Sequence, residues 1–309
     1  MDSKKEMKND NEHEKIVFAL CCILIVVIIM VGNLFINPLF NKIDKAEGDY
    51  ISRLPKTYLP DNITIRFLPN QIALIGCNNP EYRWTSRFNN EGFRDEDVPQ
   101  NESIIAIFGD SFVYGYCLQD NQTLDYFLEK RLSSKDVNYK VINFGYPGYN
   151  LKSSLRIMDN MTKKYKIKYA IVYFTPNDDL IECDISCRYI LKKYNYSASK
   201  AIETNPEEYV ESEMKKFPER LKDFGPILEE FIEKKEIQKK SKLLFYIDSR
   251  KENVSGILDQ KNISHIEPYD ILKNELIIPL DGHPNEEFNN MLAGKIAEYI
   301  FAEESRGQK

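Results

Sequence analysis

The sequence predicts an α/β protein: a three-layer, doubly wound, mostly parallel sheet of five strands, preceded by one N-terminal transmembrane helix. Three observations carry this reading. Short runs rich in Ile, Val, Tyr and Phe recur from residue 103 onward, as buried parallel strands do. Amphipathic stretches separate them. A long charge-free run stands near the start of the chain.

That run is IVFALCCILIVVIIMVGNLFI, residues 16–36, and it predicts an anchor over 16–37 after a tail of residues 1–15. A helix needs about 20 apolar residues to cross a bilayer, and no A-x-A-like cleavage site follows. The expectation is a retained anchor, with Cys21 and Cys22 as apolar filler. Lys4, Lys5, Lys8 and Lys15 precede it, and Lys42, Lys45, Arg53 and Lys56 follow it, so flanking charge is balanced. A short N-terminal tail ordinarily stays inside, which puts the large domain outside the cytoplasm.

Residues 38–102 are rich in Pro and Asn and read as a stalk followed by short strands such as ITIRFL and IALIG. The main domain is expected over 103–303, with residues 304–309 as a tail. Its strands are IIAIF (104–108), YKVINF (139–144), YAIVYF (169–174), LLFYI (243–247) and the weaker ISHI (263–266). Between them, TLDYFLEKRL (123–132) puts Leu124, Phe127, Leu128 and Leu132 on one helical face. PILEEFIEKKEIQKK (226–240) predicts a helix that starts at Pro226, directly after Gly225. The last helix is expected to be capped by Asn285, with Glu286 and Glu287 in its first turn and Phe288, Leu292, Ile296 and Tyr299 as its stripe. Residues 180–225 break the rhythm and read as an insertion beside the carboxyl ends of the strands, where ligand sites lie.

The chain has 309 residues, 42% of them hydrophobic, and a formal net charge of −6. Binding to nucleic acid usually needs a basic face, so such a partner is excluded. No His/Cys cluster has metal-ligand spacing. Outside the apolar run stand Cys77, Cys117, Cys183 and Cys187, an even count that permits disulfides in an oxidising compartment. Their pairing is open.

The strand ends hold the chemistry. The first strand runs into Gly109-Asp110-Ser111, the second into GYPGYN (145–150), and the third into TPNDD (175–179). LDGHPN (280–285) precedes the last helix. Ser111 needs a base to take its proton, and the base needs a carboxylate to fix its tautomer. Only His13, His265 and His283 exist. His13 precedes the apolar run and His265 lies within a strand, so His283 with Asp281 is the expected pair. Donors for an oxyanion are available from the backbone of Ser111 and Gly148 and the amide of Asn177. Each block alone is also what an ordinary turn looks like. All of them together, each at its proper strand end, point to acyl transfer through Ser111.

In this order the blocks resemble the SGNH hydrolase superfamily, the GDSL-like esterases and acyltransferases. The resemblance spans residues 84–303 and implies a flavodoxin-like sheet without metal or organic cofactor. It implies Ser111 as nucleophile, His283 as base and Asp281 as its orienting acid. Ser111, Gly148 and Asn177 would form the oxyanion hole, with Gly145 the competitor of Gly148. Thr175 stands where the family usually has Gly, and Asp281 is two residues before His283 rather than three. The shorter spacing is similar to that of envelope polysaccharide O-acetyltransferases, and FNNEGFRDEDVP (88–99) also looks like an element of membrane-associated members. The implied activity is ester hydrolysis on an acylated carbohydrate or similar ester. The alternatives are an O-acyltransferase with the same triad and an inactive envelope binding protein.

Overall fold

The computed structural model describes residues 57–58, 64–76, 83–175, 217–233, 237–248, 254–266, 276–278 and 282–307. All of these belong to the unit Leu54–Lys309. The expected anchor, Asn177, Asp281 and most of the expected insertion lie outside the described residues. Among the described residues no helix is long and apolar enough to cross a membrane.

Four short strands come first. β1 (Thr57–Tyr58) pairs antiparallel with β2 (Arg66–Phe67), and β3 (Ile72–Gly76) with β4 (Arg83–Arg87). The described part of this stretch carries buried apolar residues. Ile65, Phe67, Ala73, Ile75, Phe88, Phe93 and Val98 are buried in the same cluster as one face of the main sheet. Every second residue in ITIRFL and IALIG is apolar, and burying those faces accounts for the attachment.

The main sheet holds β5 (Ser103–Gly109), β6 (Lys140–Gly145), β7 (Lys166–Phe174), β8 (Lys242–Ile247) and β9 (Ser264–Ile266). All pairings are parallel, in the order β6-β5-β7-β8-β9. Counted from β5, that is the doubly wound order 2-1-3-4-5, whose switch point lies between β5 and β7. The five expected strands match, with no end shifted by more than three residues.

Helices α1 (Ser111–Tyr114), α2 (Leu124–Ser133), α3 (Leu151–Lys164), α4 (Phe217–Leu228), α5 (Ile237–Lys240), α6 (Val254–Gln260) and α7 (Glu286–Gly307) complete the domain. The strands alternate strictly between two cores. Ile104, Ala106 and Phe108 join α3, α4 and α6 on one face. Ile105 and Ile107 join Leu124, Leu128 and Leu132 of α2 and Phe288, Leu292 and Ile296 of α7 on the other. These are the three layers expected.

One reading is corrected. The helix expected to start at Pro226 already runs from Phe217, with Pro226 inside it. Phe224 stacks on Phe174 with ring centroids 4.8 Å apart. Phe224, Ile227, Leu228 and Phe231 are all buried, and that burial outweighs the one hydrogen bond that proline removes. The chain responds with a π-helical turn at Glu229–Glu233, directly after α4. The backbone on the open side of β6 finds side-chain partners. Val141 N–H donates to Glu129 Oε2 at 2.9 Å and Asn143 N–H to Asp95 Oδ2 at 2.7 Å, so two carboxylates occupy the edge.

Candidate active site

Ser111 is the first residue of α1, reached straight from β5. Asp110 caps the turn, its Oδ1 accepting from Phe112 N–H at 2.8 Å. Gly115 closes it in the left-handed region, at φ 74°. The turn lies flat on the sheet because two strand ends lack side chains. A Cβ on Gly109 would stand 2.5 Å from Val113 Cγ2, and one on Gly145 would stand 2.4 Å from Tyr114 N. Asn143 ties the turn down from below. Its Nδ2 donates to Val113 O and to Asp125 Oδ1, both at 2.6 Å, and its Oδ1 accepts from Gly145 N–H at 2.9 Å.

His283 arrives on the loop before α7. That loop is pinned by Ile278 N–H donating to His283 O at 2.8 Å and by Asn285 N–H donating to Leu276 O at 3.0 Å. Asn285 Oδ1 accepts from Phe288 N–H at 3.1 Å, the cap expected of it. The imidazole meets the nucleophile turn directly: His283 Nε2 and Ser111 Oγ are 2.9 Å apart. Phe112 and Tyr116 hold the ring, with centroids 5.2 Å and 4.8 Å away. His265 is elsewhere, in β9, with Nδ1 near Ile263 O at 3.4 Å.

Two of the expected oxyanion donors are backbone N–H groups among the described residues. Ser111 N–H opens a helical turn, and Gly148, exposed at φ 80°, sits in the turn after β6. Among the described residues neither N–H has a hydrogen-bond partner. Gly145 N–H is spent on Asn143 Oδ1, so of the two glycines it is Gly148 that keeps a donor available.

Beneath the site lies machinery that the sequence reading did not single out. Asp125 is buried, and burial pushes its carboxyl up to about 6. Asp95 is raised as well, by burial and by the neighbouring Asp125 charge. Both line a cavity of about 570 Å³ between α2 and the edge of β6, together with Glu129 and Lys140. Neither Ser111 nor His283 lines it. Charges on its wall are paired with one another, as Lys140 with Glu96 and Glu129. The block FNNEGFRDEDVP was the available signal for Asp95, and the Asn of VINF for Asn143.

Trp84 lies on β4. It is half-buried against the core, with the Arg94 guanidinium 5.6 Å from its ring.

No family model and no curated protein matches the chain. Several solved structures resemble it. One is the psychrotrophic esterase EstA from Pseudoalteromonas sp., in a form inhibited by monoethylphosphonate. It has 13% identity and a TM-score of 0.40, over 65% of this chain and 98% of that one. A two-domain esterase active on acetylated mannans has 16% identity and a TM-score of 0.39, over 65% of this chain and 49% of that one. An SGNH-hydrolase family esterase has 16% identity and a TM-score of 0.35, over 66% of this chain and 98% of that one. At these values the likeness carries no weight for function, which rests on the site's own atoms.

Proposed function

We propose that the chain is a serine esterase of the SGNH type. The observation that carries this reading is the 2.9 Å approach of His283 Nε2 to Ser111 Oγ. A serine hydroxyl is a weak nucleophile until a base takes its proton, and this spacing suits that transfer.

Ser111 Oγ attacks the acyl carbonyl while His283 Nε2 accepts its proton. The carbonyl oxygen becomes an oxyanion held by the N–H groups of Ser111 and Gly148, with Asn177 as the third donor. The tetrahedral species collapses, and the alcohol leaves with the proton from His283. Water then attacks the acyl–Ser111 ester, His283 takes its proton, and the acid departs as Ser111 regains its own. Asp281 is assigned the orienting role on the far side of the imidazole.

The domain is proposed to act outside the cytoplasm, held to a membrane by residues 16–37. The apolar run supports the anchor, and the disulfide at Cys117 supports an oxidising compartment. An acylated carbohydrate is the substrate to try first. The test is hydrolysis of an activated acetyl ester by wild type and Ser111→Ala, with acetate counted against transfer to added oligosaccharide. Equal turnover by the two proteins rejects the mechanism, and transfer in place of acetate release makes the protein an acyltransferase.

A further inference from the structure

We propose that Arg94 is a positioning residue for the Ser111–His283 pair; the proposal rests on the esterase reading of that site. The turn carrying Ser111 is only four residues long, so its last carbonyls have no helical partners. Asn143 serves Val113 O, and Arg94 serves Tyr114 O and the carbonyls that follow the turn. Arg94 Nη1 donates to Tyr114 O at 3.1 Å and to Gly115 O at 2.7 Å, and its Nη2 to Leu118 O at 2.5 Å. Its Nε donates to Asp120 Oδ1 at 2.8 Å and Ser86 Oγ at 3.1 Å. Asp120 Oδ1 also lies 2.7 Å from Nη2, so all five guanidinium N–H groups are used. The side chain is 2% exposed while that of Asp120 is 58% exposed, so a buried cation is stitched to a surface counter-ion through the loop itself.

The loop that Arg94 gathers is the one against which the histidine leans. Tyr116, inside it, has its ring 4.8 Å from that of His283. Cys117 and Leu118, next along, pack on Ile278, whose N–H donates to His283 O at 2.8 Å. Arg94 thus reaches the nucleophile through α1 and the base through Tyr116 and Ile278, without touching either. Only a planar fork satisfies three carbonyls and a carboxylate at once; a lysine ammonium has three donors and no fork.

The test is Arg94→Lys in the full-length protein, with p-nitrophenyl acetate turnover, phosphonate labelling of Ser111, thermal melting and emission of Trp84, the sole tryptophan. A displaced catalytic pair should cost about 10–100-fold in kcat, with KM within about 3-fold of wild type. Phosphonate labelling should slow in parallel, and cooperative melting should persist. Wild-type kcat in folded Arg94→Lys overturns the proposal. Should that variant fail to melt cooperatively, Tyr116→Leu tests the same link: a fall in kcat restored in Tyr116→Phe supports it, and unchanged kcat overturns it. Should wild type itself neither hydrolyse the ester nor take the phosphonate, the esterase reading falls. Arg94 is then judged by the imidazole ¹⁵N resonances of His283: movement on Arg94→Lys toward the Ser111→Ala spectrum supports positioning, and unmoved resonances overturn it.

Discussion

Ser111 Oγ and His283 Nε2 lie 2.9 Å apart although 172 residues separate them in the chain. The proposed mechanism uses this contact for proton transfer. Removing either partner of such a unit costs nearly as much as removing both. Ser111→Ala, His283→Ala and the double variant should each lose about 10⁴–10⁶ in kcat while keeping the wild-type melting temperature within a few degrees. Steady-state hydrolysis and melting curves check this. Losses that multiply in the double variant would show that the two act separately.

The two glycines after β6 should behave oppositely. Gly145 needs its missing side chain, because a Cβ there would stand 2.4 Å from Tyr114 N and 2.8 Å from Val113 Cβ. Gly145→Ala should therefore lower the melting temperature and lift the nucleophile turn. Gly148 is exposed at φ 80°, and alanine there mainly turns the free N–H away. Gly148→Ala should keep most of the stability and lose about 10²-fold in kcat, the usual cost of one oxyanion donor. Melting and kcat measured on both variants separate the roles.

Much of this was legible in the sequence because burial on both faces leaves a continuous apolar run. IIAIF, YAIVYF and LLFYI could be nothing but sheet interior at those lengths. Ser111 and His283 were legible because so few histidines compete. What stayed hidden depends on pairing at a distance. Arg94, Asp95, Asp125 and Asn143 are polar residues of kinds that ordinarily face water. Their burial follows from partners 18 to 48 residues away in the chain, which no local pattern announces. Pro226 misled for the opposite reason. Its local preference for a first turn is strong, but the buried Phe224 and Ile227 around it set the helix instead.

Asp125 should make stability depend on pH in an unusual direction. Its carboxyl sits at about 6 in the folded chain, raised mainly by burial, against about 3.9 for a free aspartate. Between those values the folded state holds a proton that the unfolded chain has released. Stability from this group is therefore greatest below the unfolded value and falls as pH rises toward and past about 6. Asp125→Asn keeps a carbonyl acceptor for Asn143 Nδ2 and removes the titration. Its melting temperature should exceed that of wild type at pH 8 and approach it at pH 4. A wild-type advantage at pH 8 would show that the ionised form is the one the network needs.

Glu129 should be worth more than a surface carboxylate. It accepts from Val141 N–H at 2.9 Å and from Lys140 Nζ at 3.0 Å, at the open edge of β6. The ammonium contact is half-exposed and adds little, but the backbone N–H belongs to an edge that invites another strand. Glu129→Ala should cost about 1–2 kcal/mol by urea denaturation, the usual penalty for stranding one partner of a hydrogen bond. Glu129→Gln keeps an acceptor for Val141 and should recover most of that, although it loses the charge facing Lys140. Light scattering on incubation near the midpoint should rise for the alanine variant and not for the glutamine variant. Equal scattering from both would assign the protection to the charge rather than to the occupied N–H.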